Sequence, residues 1–280
     1  MIVGCGLLGT SFALALRSVQ PACVIDGVEI DESHRQGALA KGVFDSVSTD
    51  FQNRTYDLLV LAVSIDTACS MLPDVHSKAS IILDLCSIKN PICKEAERLG
   101  LQERFAPTHP MAGAASEGPL HAYKDMFQGH PWVCIDGWSA CETLKPLFES
   151  FGSNVVTVAT AARHDEAMAA VSHAIHLISL SAMLAYDYAR QTSKESDAAF
   201  QLASLTGPGF RDITRLSASP SGFWVSTLLQ NQEYVTRQLD EVIRHLEGFR
   251  ASIAGQDRVA LQQRLDDARS AHQKWKGEVS

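Results

Sequence analysis

The hexapeptide GCGLLG at residues 4–9 restricts the fold of this chain more than any other stretch. It follows the apolar triplet MIV and leads into the helical pattern FALALRS. GxGxxG spacing suits a strand that turns sharply into a helix. Gly4 makes the turn, Gly6 lets the backbone approach a pyrophosphate, and Gly9 lets the helix pack on the strand. Leu7 and Leu8 fall in the first helical turn, whose free N–H groups and positive dipole end favour phosphate. Glu29, twenty residues past Gly9, closes the next apolar run, CVIDGVEI. A carboxylate there accepts hydrogen bonds from the adenosine ribose hydroxyls and repels a 2′-phosphate, so the expected cofactor is NAD rather than NADP. Only three residues precede the loop, so the first strand is either unusually short or begins upstream of this sequence.

Short β-branched runs then alternate with helical patterns as far as residue 158. The expected strands include DLLVLAV, SIILDL, RFAPTH, HPWVCI and NVVTVA; the helices include SHRQGALAKG, DTACSMLPDV and SACETLKPLFESFG. Such alternation predicts a mostly parallel, doubly wound Rossmann-like sheet over 1–158. From residue 159 to 280 the strand signals stop. RHDEAMAAVSHAIHLISLSAMLAYDYARQ, FWVSTLLQNQEYVTRQLDEVIRHLEGFRASIAG and RVALQQRLDDARSAHQKWK each repeat apolar residues every three to four positions. They predict three long helices forming an all-α domain that buries surface against a second copy. The fold class is therefore α/β, with a helical dimerisation domain following.

Net charge is −8 with no basic block, which argues against a nucleic-acid partner. No uninterrupted apolar run reaches bilayer length, and the first residues lack signal-peptide organisation, so a cytoplasmic protein without a membrane partner is expected. Seven cysteines lie scattered through the first half without CxxC spacing, as reduced thiols would. No metal site is expected: His173 and His176 share a helix face, but no carboxylate sits at a comparable spacing.

Four further stretches carry chemistry: DLCSIK (84–89), THPMAG (108–113), HDEAMAAVSHAIH (164–176) and GPGFRDITRLSASPSGFW (207–224). With the glycine loop, they make the chain resemble the prephenate/arogenate (cyclohexadienyl) dehydrogenase family as far as about Asn231. The most specific piece is GFRDxTR followed nine residues later by Trp224. The resemblance implies oxidation of a cyclohexadienyl acid at C4 with loss of CO2. His109 would be the catalytic base that takes the C4 hydroxyl proton. Ser87 would bond both that histidine and the hydroxyl, Arg215 would hold a substrate carboxylate, Asp212 would support the site, and His176 would line the substrate pocket.

Elementary chemistry is compatible with these roles. An imidazole of ordinary pKa near 6.5 can accept a proton around neutrality. Pro110 keeps His109 in extended backbone, on a stiff turn where the chain leaves the sheet. A guanidinium offers a carboxylate two parallel N–H bonds. The chain also departs from the family pattern. Ala174 and Ile175 stand where relatives read Leu-Pro, which implies a helix without its proline kink. Ala115 stands where some relatives carry a glutamate, which leaves a charged gate absent or moved to Glu117. The altered rim keeps a 4-amino-4-deoxyprephenate dehydrogenase as an alternative. A β-hydroxyacid dehydrogenase would place a lysine where this helix carries histidines, and an NAD-binding sensor would not need His109.

Overall fold

The computed structural model describes residues 1–113, 116–192 and 202–278. Eight strands form one sheet: β1 Ile2–Val3, β2 Asp26–Val28, β3 Ser46–Ser48, β4 Tyr56–Leu61, β5 Ala79–Asp84, β6 Phe105–Pro110, β7 Pro131–Ile135 and β8 Asn154–Val158. Their order is β3-β2-β1-β4-β5-β6-β7-β8. β6 and β7 run antiparallel, and the other neighbouring pairs are parallel. Helices α1 Leu7–Val19, α2 Glu32–Ala40, α3 Ile65–Val75, α4 Asn90–Arg98 and α5 Ser139–Ser150 connect them. The central strands are covered on both faces, which is why they read as unbroken apolar runs: Leu59, Val60, Leu61, Ile82 and Leu83 are all buried. Side-chain caps start two of these five helices, Asp31 accepting from the His34 N–H and Ser64 from the Thr67 N–H.

Strand order reverses between β1 and β4, so their carboxyl ends open a crevice at the edge where open α/β sheets bind ligands. Two elements escaped the pattern reading. β3 is a half-buried tripeptide, and α4 begins on a Lys-Asn-Pro stretch with no Ser, Thr or Asp cap of its own. A correction concerns His109. It lies within β6, paired with Val133 of β7, and not on a turn beyond the sheet.

The first long helix of the second half is not continuous. It runs as α6 Ala161–Met168, a π-helical turn Ala169–His173, and α7 Ala174–Thr192. The proline is absent, yet the hydrogen-bond ladder is still interrupted, and π-turns of this kind concentrate at functional sites. α8 Pro208–Thr214 and α9 Ser221–Gln230 follow, then α10 Gln232–Ala254 and α11 Arg258–Glu278. The single helix expected over FWVSTLLQNQEYV thus breaks at Asn231, whose φ and ψ of −110° and 25° leave the helical region. Strands end at Val158, but compact packing keeps α6 to α9 with the sheet in one unit, Met1–Gln232; the other is Glu233–Ser280. In the second unit Gln256, at a φ of 51°, turns the chain between α10 and α11.

By length and composition, Ala161–Thr192 could cross a bilayer, contrary to the expectation drawn from uninterrupted runs. The difference arises because scattered polar residues break the run while the helix as a whole stays apolar. Length and composition alone are weak grounds for a span. This segment buries His164, Asp165, His173 and His176 inside the protein, and those side chains build the site described next.

Candidate active site

The glycine loop divides its work as the spacing requires. Gly4 has a φ of +88°, and a Cβ there would collide with the Ala62 carbonyl oxygen. A Cβ on Gly9 would strike the Gly4 carbonyl oxygen, whereas one on Gly6 would meet nothing within 4 Å. Gly6, Leu7 and Leu8 line a cleft of about 530 Å³ together with Ser64, Ser87, Glu117 and Trp224. Open space over Gly6 at the start of α1 is what an incoming pyrophosphate needs, so these residues fit a dinucleotide. Glu29 directly follows β2. Its carboxylate accepts from the Cys5 N–H at 2.9 Å and the Asp31 N–H at 3.0 Å, which fixes its position. Arg35, a cation close by in sequence, is engaged by the carbonyls of Glu29 and Ile30 and by Glu32.

Behind the cleft, DLCSIK and THPMAG are stitched together. Lys89 and Asp84 form an ion pair with both side chains fully buried, and Lys89 Nζ also donates to the Thr108 carbonyl at 2.5 Å. Asp84 accepts from the N–H groups of Cys86 at 3.1 Å and Thr108 at 3.2 Å. One buried pair therefore holds the backbone immediately before both Ser87 and His109. Burial opposes charge on Lys89, but Asp84 beside it prevails and its pKa stands above the ordinary lysine value.

His109 is half-buried and does not bond Ser87. Its Nδ1 instead lies 3.0 Å from Nε2 of His164, and Nδ1 of His164 lies 2.7 Å from Oδ1 of Asp165. The Asp165 carboxylate also accepts from the N–H groups of Lys89 at 2.7 Å and Asn90 at 2.8 Å, capping α4 from a different helix. Asn231 donates to the Asp165 carbonyl at 2.9 Å and to Nδ1 of His173 at 3.1 Å. Residue-by-residue reading of the sequence assigned nothing to His164, Asp165, Lys89 or Asn231. A His-Asp pair at the start of a helix was the available signal.

Ser87 lines the cleft, and among the described residues its hydroxyl makes only a long 3.4 Å contact with Thr227. His176 is buried behind the cleft wall, stacked on Trp224 with ring centroids 3.6 Å apart and planes 10° from parallel. His173 meets the same Trp224 edge-on at 6.0 Å, so the two histidines do share a face. Among the described residues, His176 Nδ1 and Ser179 Oγ, one turn apart on α7, are buried without hydrogen-bond partners. Arg215 follows α8, Asp212 lies within it, and both are exposed. Neither lines the cleft, and among the described residues neither side chain has a hydrogen bond or ion pair. Ala115 lies outside the described residues.

Burial lowers the pKa of all four clustered histidines. His109 falls well below 6.5, with His164, Lys89 and His173 adding to the effect. His164 and His176 are lowered too, and His173 is brought down to about 4. A histidine whose folded pKa is depressed stabilises the fold fully above its unfolded pKa, and that contribution is lost as pH falls toward the folded value. The melting temperature should therefore drop as pH is lowered from about 6.5 toward 4, starting before most carboxylates titrate. Calorimetry across this range checks it; a constant Tm down to about pH 5 would mean these imidazoles carry no such linkage.

Comparison with known proteins bears on both halves of the chain. Residues 12–157 match the family model for the prephenate dehydrogenase nucleotide-binding domain, and residues 160–267 that for the prephenate dehydrogenase dimerization domain. The cyclohexadienyl dehydrogenase of Zymomonas mobilis is 28% identical over 281 residues, covering 96% of this chain and 93% of that protein. The prephenate dehydrogenase of Bacillus subtilis is 26% identical over 268 residues, covering 92% of this chain and 70% of the relative. A crystal structure of prephenate dehydrogenase from Aquifex aeolicus, in complex with hydroxyphenyl propionate and NAD+, has a TM-score of 0.83 at 23% identity, covering 98% of this chain and 96% of that one. At that identity the likeness speaks for the fold. The two family matches, which adjoin and together span most of the chain, speak for more: this chain belongs to the prephenate dehydrogenase family.

Proposed function

We propose that this protein catalyses the NAD-dependent oxidative decarboxylation of prephenate to 4-hydroxyphenylpyruvate, or of arogenate to tyrosine, in aromatic amino acid biosynthesis. The observation that carries the reading is a buried histidine network, centred on His109, beside a cleft built on a dinucleotide loop. When bound, NAD supplies the hydride acceptor. His109 takes the proton from the C4 hydroxyl as C4 becomes a carbonyl, and loss of CO2 makes the ring aromatic. Ser87, on the cleft wall, orients the hydroxyl. Arg215 is assigned to a substrate carboxylate with Asp212 beside it, and His176, with its unpaired Nδ1, to the substrate pocket. The test is reduction of NAD, followed by absorbance, with prephenate, arogenate and 4-amino-4-deoxyprephenate offered separately. Turnover of the amino compound alone would replace the reading by its alternative.

Cofactor choice is read from Glu29. NAD should be used far better than NADP, and Glu29→Ala should narrow the difference, because the fixed carboxylate repels a 2′-phosphate. Equal kcat/KM for the two cofactors in the unaltered enzyme would remove Glu29 from this role.

The proposed assembly is a homodimer through the helical half, taken as residues 159–280, with 1–158 as the nucleotide half. The support is a set of exposed apolar side chains at helical spacing on α10, Ile243, Leu246 and Ile253, with Val259 and Leu265 also exposed on α11. Light scattering at micromolar concentration should give the mass of two chains, and the mass of one would refute the assignment. No nucleic-acid or membrane partner is proposed, and the cytoplasm is the compartment that suits the biosynthetic role.

A further inference from the structure

We propose that His164, held by Asp165, is a positioning residue that dictates which ring nitrogen of His109 is left bare to receive the proton. The inference rests on the reading of His109 as the base and extends it to the tautomer that the base must adopt.

The argument runs inward from Asp165. Its carboxylate already accepts the N–H groups of Lys89 and Asn90, and an ionised carboxylate only accepts. At 2.7 Å from Oδ1, His164 Nδ1 must therefore carry hydrogen. A neutral imidazole has one N–H, so His164 Nε2 holds a lone pair. That lone pair faces His109 Nδ1 at 3.0 Å, so His109 must supply the hydrogen. His109 Nε2 is then the unprotonated atom. The opposite tautomer of His109 would set two lone pairs against each other in a buried site.

Neutrality of His164 is the condition, and the groups around the pair meet it. Lys89, Asp84 and Asp165 face His164, and burial with the Lys89 ammonium outweighs the two carboxylates in lowering its pKa. Besides His164, Lys89 and His173 face His109. Nδ1 of His173 is taken by the Asn231 amide, so that ring does not compete for His109. In the reaction the substrate O–H bond breaks, an N–H bond forms at His109 Nε2, and the new imidazolium is steadied by its Nδ1–H donated to His164. Such a chain uses an imidazole where many enzymes place a carboxylate directly behind the base.

Nitrogen NMR of the ¹⁵N-histidine-labelled enzyme near pH 7.5, with His109→Asn used to assign its resonances, reads the tautomer directly. Nε2 of His109 should be unprotonated and Nδ1 protonated; hydrogen on Nε2 would overturn the proposal. Kinetics give the second arm. His164→Leu, which cannot accept from Nδ1, should lower kcat about 10–100-fold, as seen for partners that orient metal-bound imidazoles. The KM values should stay within about two-fold, and the acid limb of the kcat/KM profile should move. His164→Gln, whose amide oxygen can accept that N–H, should restore most of the lost kcat. Full kcat in His164→Leu, with activity lost in His109→Asn, would sink the positioning role alone. Retained activity in His109→Asn would sink the base assignment itself. Should His164→Leu fail to fold, the tautomer in the unaltered enzyme still decides.

Discussion

His109→Asn should lower kcat by about 10²–10⁴-fold, the usual contribution of a positioned general base, while KM for substrate and NAD changes little. Asparagine keeps a polar group that can still face His164 across the 3.0 Å contact, so the local packing survives. What it lacks is a nitrogen able to bind and release a proton near neutrality. The pH profile gives an independent reading. Only neutral His109 can accept the proton, so activity is lost as pH falls through its pKa. Burial, His164, Lys89 and His173 depress that pKa, so the ascending limb of kcat/KM should lie on the acid side of 6.5. In the variant that limb should vanish. An amino substrate would add a second titration, because its C4 amine must itself be deprotonated before oxidation. The measurement is stopped-flow and steady-state kinetics on whichever substrate the unaltered enzyme prefers. Near-normal kcat would move the base elsewhere, with His176 the next candidate.

Lys89→Met should have the largest effect on stability. It removes one member of a fully buried pair and leaves Asp84 without a counter-charge. Breaking a buried pair in this way costs about 3–5 kcal/mol. For a chain of this size that corresponds to a fall in Tm of roughly 6–20 °C. Asp84→Asn combined with Lys89→Met should recover part of the loss, because no isolated charge remains and the asparagine can still accept from the Thr108 N–H. Thermal and urea melts of the single and double variants check both statements; a single variant as stable as the parent would show that the pair contributes nothing. The Thr108 carbonyl loses its donor in either case, so kcat should fall even in the rescued double variant.

The parts of this enzyme legible in sequence are those whose physics is local. Gly4, Gly6 and Gly9 could be read because a tight turn, an open approach and a close packing contact all fall within six residues. The strands could be read because burial on both faces removes polar residues from them. β3 could not, being three residues with no apolar run. Support behind the base is not local: His164 lies 55 residues from His109, and Asp165 reaches 76 residues back to Lys89. Adjacent positions on a helix do not ordinarily face each other, so His164 and Asp165 side by side in sequence gave no hint that they bond. Arg215 and Asp212 show a different limit. Their types and spacing carry the family resemblance, yet both stand exposed, so their role depends on what meets α8, which residue order does not encode.

The π-turn at Ala169–His173 has a consequence for how this helix can vary. A π-turn accommodates one residue more than an α-helical path between the same two points, so it sets an angular phase between the segments on either side. His164 and Asp165 lie before it, and His176 lies after it. If the turn instead closed into regular α form with every residue kept, the extra residue would have to be wound into the helix. Everything beyond would then rotate by ~100° relative to what precedes it. His176 would leave the face of Trp224 while His164 stayed beneath His109. Closure at constant length would thus move half of the site at once, whereas closure together with the loss of one residue would keep the phase, so winding and length at this turn are free to change only together.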